Sequence, residues 1–221
     1  MTHLNSVVIL LGTFIVGIST VFAVIIRQKS CKLHLKFFFI NPLLALLISV
    51  NTILNRYFFL LKKETFVIQY FFLVMDLIFW AFFFKIIARN RNEKVFLKVV
   101  FAVCIFIIII LFFASDLTRS NLHIVSLFSL CKTIFCISFF HGLFNYMPYK
   151  NIISEPLFWI CCGLLFYSAL SIPFYSLRDY IYLNFPLLAQ DIFAISNVLI
   201  IIMHLFFIKA YLCITRQHKV S

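Results

Sequence analysis

The sequence predicts an all-α polytopic membrane protein: one domain over residues 1–221, seven transmembrane helices, the N-terminus outside and the C-terminus cytoplasmic. Three observations predict it. Hydrophobic residues make up 64% of the chain and charged residues 12%, against about a quarter charged in soluble domains, so a soluble core has no room for this apolar surface. Seven apolar runs recur, each near the ~20 residues that cross ~30 Å of hydrocarbon. Basic residues alternate in density between the runs. Thirteen Lys and Arg fall on one side (Arg27, Lys29, Lys32, Lys36, Lys85, Arg89, Arg91, Lys94, Lys98, Lys150, Lys209, Arg216, Lys219) and five on the other (Arg56, Lys62, Lys63, Arg119, Arg178). The richer side is expected in the cytoplasm. The net charge of +12 arises from these clusters and therefore reads as membrane topology, not as a nucleic-acid surface.

The first run, 5–26, has no basic stretch before it and outlasts a signal-peptide core, which predicts an uncleaved span. RQKSCKLHLK, Arg27 to Lys36, then supplies an inner loop without acid. The second run, 37–61, opens at Asn41-Pro42 and carries Asn51, Asn55 and Arg56 toward its far end, where Lys62-Lys63-Glu64 turn the chain. Asp76 sits near the middle of the third run, 66–88, which ends in the basic segment Lys85 to Lys98. The fourth run, 95–114, is almost purely aliphatic and aromatic, as suits a helix with much lipid contact.

After a polar turn at 115–121 comes the fifth run, 122–147, the most polar of the set, with Ser126, Ser129, Lys132, Ser138, His141 and Asn145. The sixth, 156–177, begins at Ser154-Glu155-Pro156. A Ser side chain there can cap free N–H groups, a carboxylate favours the positive end of the helix dipole, and Pro loses no hydrogen bond. Pro173 and Arg178-Asp179 are expected to end it, leaving Arg178 to Asn184 as an outer loop. The seventh run, 185–213, contains Asp191, Asn197 and His204 and leads into the tail TRQHKVS. Seven Cys fall mostly inside apolar runs without metal or redox spacing and read as small core residues.

Asp76 and Lys132 are the deepest charges, each about eleven residues from the outer end of its run. An unpaired ion in hydrocarbon costs from about 3 to more than 10 kcal/mol, so a buried pair between the third and fifth helices is expected, serving as a packing lock or as a switch. Gln69, Leu73, Asp76, Trp80 and Phe83 share one helical face, which either lines a ligand cavity or packs. Asn197 lies seven residues before His204 on one face, and His141 sits at comparable depth beside Ser138 and Asn145. Such groups relay protons or hydrogen-bond between helices, the latter contributing on the order of 1 kcal/mol. Two His without a third ligand make no metal site, so no metal or other cofactor is expected. GxSxG, HExxH, Walker and GxGxxG patterns do not occur, Lys209 is too shallow to hold a chromophore, and no catalytic residue is expected.

In the sixth run Pro156, Phe158 and Trp159 form a Pro-x-Phe-Trp, followed by Gly163 four residues on and then Tyr167. Together with Asp76 in the third helix and Asn197 in the seventh, this pattern resembles seven-helix membrane sensor modules of Bacteroidetes-type bacteria. The resemblance implies signalling in a bacterial inner membrane, since similar modules precede histidine kinase domains. This sequence contains no kinase, so output is expected to pass to a separate cytoplasmic partner, a histidine kinase or regulator, with the bilayer as the other partner and no nucleic acid. The alternative is a small transporter or channel in which Asp76, Lys132, Asn197 and His204 line a path at mid-membrane.

Overall fold

In lipid every backbone N–H and C=O must be bonded within the protein, and a helix does this within one segment. The computed structural model describes the backbone of residues 3–29, 38, 41–43, 45–46, 64–88, 90–114, 122–146 and 152–220. Side chains are described for 7–25, 38, 41–43, 45–46, 71–88, 90–111, 124–145, 152–177, 180–181, 184–185 and 195–216. The extended elements among them are six α-helices, α1 (His3–Lys29), α2 (Glu64–Ile87), α3 (Arg91–Ala114), α4 (Leu122–Tyr146), α5 (Pro156–Asn184) and α6 (Pro186–Val220), with a 3-10 turn at Ile152–Ser154. Among the described residues five helices contain a stretch long and apolar enough to cross a bilayer: Val7–Ile25, Arg91–Leu111, Ile124–Asn145, Pro156–Leu177 and Ile195–Arg216. The chain is a helical membrane protein. α2 has 24 residues, about 36 Å at 1.5 Å per residue. Most of the second run, with Asn51, Asn55 and Arg56, lies outside the described residues, as do the turns at 62–63 and 115–121.

Helix ends depart from expectation where stop signals borrowed from soluble proteins fail. α5 continues through Pro173 and beyond Arg178 to Asn184, so the outer loop expected at 178–184 is helix. Leaving the helix at Pro173 would free several backbone groups in place of one, which favours tolerating the ring. Glu155 is the N-cap of α5 without a side-chain cap hydrogen bond of its own, and Pro156 opens the first turn, as the missing Pro N–H allows. Phe185 alone separates α5 from α6, its N–H donating to the Ile181 carbonyl at 2.7 Å. α6 also runs on through the expected tail to Val220, and α3 begins at Arg91, four residues before its apolar run, with Glu93 in its first turn.

Side-chain pairs fix the directions. Asp76 with Lys132 and Phe84 with Phe135 set α2 and α4 parallel. Ser126 with Ser176 and Phe140 with Phe158 set α4 and α5 antiparallel. Tyr175 with Ser196 and Trp159 with Phe206 do the same for α5 and α6. α1 packs along α6, and α3 packs beside α2 and α4. The α5–α6 crossing is close because Gly163 has no side chain: a Cβ there would stand 2.7 Å from Phe206 Cβ and 3.0 Å from the Met203 carbonyl oxygen. Small residues at helix crossings matter in lipid, where close packing drives association in place of water exclusion. α3 buries only a narrow stripe, Leu97, Cys104 and Ile108, and exposes Val99, Val103, Phe106 and Ile110, the lipid-facing character its composition predicts.

Phe38, Asn41 and Pro42 of the second run lie inside the bundle. The Phe38 ring meets Trp80 at 6.1 Å, Phe83 at 5.6 Å, Phe207 at 5.1 Å and Tyr211 at 5.8 Å. Thr20 of α1 donates to the Pro42 carbonyl at 3.1 Å. This segment therefore joins α1, α2 and α6. Each aromatic pair contributes about 0.5–1.5 kcal/mol beyond the area it covers.

Candidate functional site

α2 brings Asp76 to the bundle interior one turn from Trp80, and α4 brings Lys132 opposite it. Lys132 Nζ donates to Asp76 Oδ2, forming an ion pair whose side chains are 8% and 16% exposed. The other carboxylate oxygen is also used: Asn41 Nδ2 donates to Asp76 Oδ1 at 3.4 Å. One carboxylate thus ties α2 to α4 and to the second segment. Taking two charges out of water costs several kcal/mol per ion, which only close pairing and further hydrogen bonds offset, and both are present here.

Further polar side chains meet between α4, α5 and α6. Thr133 donates to Ser168 Oγ at 2.9 Å, Ser176 donates to Ser126 Oγ at 3.1 Å, and Tyr175 and Ser196 share a hydrogen bond of 3.0 Å between α5 and α6. Tyr167 on α5 is half-buried and packs against the apolar core. The pair is thus joined to Asn41, and separate hydrogen bonds tie α4 to α5 and α5 to α6.

Other candidate residues take distinct places. Trp80 is 1% exposed and packs against Phe38, Phe79, Phe83 and Phe84, so it belongs to the aromatic core and not to a cavity wall. Leu73 packs against that core half-buried, while the side chains of Gln69 and Asp191 lie outside the described residues. Asn197 is half-buried two turns from His204 on α6. His141 is exposed and bonds Asn145 of its own helix at 3.1 Å, whereas His204 is fully buried with its ring 5.3 Å from that of Phe207. The two His thus stand in different surroundings, one exposed on α4 and one inside the bundle.

Pro156, Phe158, Trp159, Gly163 and Tyr167 act along one helix. Phe158 meets Phe140 of α4, and Trp159 stacks on Phe206 at 5.9 Å. Trp159 Nε1 donates to the Ile153 carbonyl at 2.7 Å, and Lys209 Nζ stands 5.6 Å from its ring centroid, a cation–π contact. Gly163 permits the close crossing, and Tyr167 packs half-buried against the apolar core. Three of these residues, Phe158, Trp159 and Gly163, hold α5 against its neighbours.

Sequence reasoning passed over Asn41, Ser19 and Tyr211, all buried polar residues of the interior. A lone amide in an apolar run was the available signal for Asn41, since such a group must find a partner in lipid. Among the described residues no three of His, Cys, Asp or Glu come together as metal ligands. A cavity of about 30 Å³, room for about one water, lies between α2, α3 and α4 beside Glu93, Ser138 and Gly142. No protein-family model, curated protein or solved structure matches the chain.

Proposed function

We propose that the protein is a non-enzymatic membrane receptor or sensor of seven helices, N-terminus outside and C-terminus in the cytoplasm, that signals through a separate cytoplasmic partner. The observation that carries this reading is the buried Lys132–Asp76 pair, held on its second oxygen by Asn41. It joins three segments of the chain through one carboxylate, so loss or rearrangement of that contact shifts α2 and α4 together. A signalling protein needs such an element, with two arrangements whose balance a ligand can bias. The basic residues at the ends of α2, α3 and α6, Lys85, Lys94, Lys98, Lys209 and Arg216 among them, offer a cationic face to an acidic partner.

The test is thermal stability of the purified protein in detergent across a panel of small solutes, wild type beside the Asp76→Ala/Lys132→Met double variant. A solute-dependent rise in the wild type that vanishes in the variant, without flux of that solute into proteoliposomes, is the expected result. Flux of the solute would make the protein a transporter. A double variant as stable as wild type, with no solute response in either, would reduce the pair to a packing lock and end the sensor reading.

A further inference from the structure

Six free cysteines lie among the described residues, and four of them face one another in two pairs across helix interfaces: Cys104 of α3 with Cys131 of α4, and Cys136 of α4 with Cys161 of α5. The thiols within each pair are hydrogen-bonded. Helix register places the first pair independently. A Cβ on Gly142 would stand 2.9 Å from Glu93 Oε1, so α3 and α4 meet there. From that contact eleven residues forward along α3 reach Cys104 and eleven back along α4 reach Cys131, the equal steps of an antiparallel pair about three turns on. The two sulfurs therefore share a level.

A thiol that only filled space would be served by any small apolar neighbour, whereas two thiols in contact share one reaction, closure to a disulfide. A bound metal suits the pair less. No third ligand joins it among the described residues, and thiolates would add charge inside the bundle, while a disulfide is as neutral as the two thiols it replaces.

We propose that Cys104 and Cys131 are an oxidation site, a dithiol that closes to a disulfide between α3 and α4 with a quinone dissolved in the bilayer as oxidant. Access selects both the pair and the oxidant. Cys136 and Cys161 are 0% exposed between helices that meet at both ends, whereas Cys104 is 6% exposed and follows Val103, 51% exposed on the lipid-facing side of α3. A water-borne oxidant has no route to a thiol in the middle of α3, and a lipid-soluble one meets that helix directly. α3 buries only a narrow stripe of side chains, so closing the sulfurs from hydrogen-bond contact to the ~2.05 Å of a disulfide displaces little packing. In the step both S–H bonds break and one S–S bond forms. The two electrons and two protons pass to the quinone, which leaves as the quinol. The bridge ties α3 to the helix of Lys132, the residue after Cys131. This site stands whether or not the protein signals.

The test exposes the full-length protein in lipid vesicles to a fully substituted alkyl benzoquinone, blocks the remaining thiols and reads linked peptides by mass spectrometry without reductant. Protein unfolded in dodecyl sulfate receives the same treatment as reference. Cys104–Cys131 is expected to be the predominant linkage in the vesicles, several-fold above its share in the unfolded protein, and to vanish after dithiothreitol. Ferricyanide, which does not enter the bilayer, is expected to leave the pair reduced. Free thiols at both positions after quinone, predominance of any other pairing, or an equal share of this linkage in the unfolded protein overturns the proposal. Equal linkage by ferricyanide overturns the assignment of a bilayer oxidant.

Discussion

Asp76 accepts from Lys132 on one oxygen and from Asn41 on the other, so its truncation strands an ammonium inside the bundle. Asp76→Ala is therefore expected to destabilise by about 3–5 kcal/mol, and Lys132→Met by a similar amount, whereas the double variant recovers most of the loss because no unpaired charge remains. Thermal denaturation of the four proteins in detergent measures this, and a double variant no better than the worse single would show that the two are not partners. Gly163 makes a second expectation. Gly163→Ala forces a methyl against Phe206 Cβ, closer than carbon tolerates, and tightly against the Met203 carbonyl, and is expected to lower stability by about 1–3 kcal/mol in the same assay. The ion pair was legible in the sequence because charges in apolar runs are few and the two sit at matching depth. Asn41 was not, since an amide's partner depends on which segment lies beside it, and that is a tertiary fact. The contrast between His141 and His204 was hidden for the same reason: one face of a helix meets lipid and another meets its neighbours, and both faces here are apolar.

Among the elements, run lengths and spacing placed α1, α2, α3 and α4 to within a few residues, while the ends of α5 and α6 were misread. Pro173 and the Arg178-Asp179 pair would stop a helix in water, where freed backbone groups find solvent. In α5 the helix passes both. Amide hydrogen exchange distinguishes the two descriptions: protection is expected to continue from 174 through 184, and rapid exchange across 178–184 would restore the loop. The close Gly163 crossing and the single residue between α5 and α6 then describe one antiparallel pair rather than two helices joined by a tether.

At the scale of the whole molecule, the apolar content and the five helices long and apolar enough to cross a bilayer among the described residues make a membrane protein, but which helices touch could not be read from hydropathy, since each run is dominated by apolar residues. The proposed orientation rests on the distribution of Lys and Arg. Impermeant thiol labelling of single-cysteine variants in intact cells is expected to reach a cysteine at position 2 from outside and one at position 221 only after the membrane is opened. Equal access to both ends from one side would require an even number of crossings. The link at Phe185 has its own outcome during synthesis. The windows Pro156–Leu177 and Ile195–Arg216 are each of spanning length, yet one residue separates their helices. A link this short keeps the two helices side by side, so they are expected to enter the bilayer as one helical hairpin.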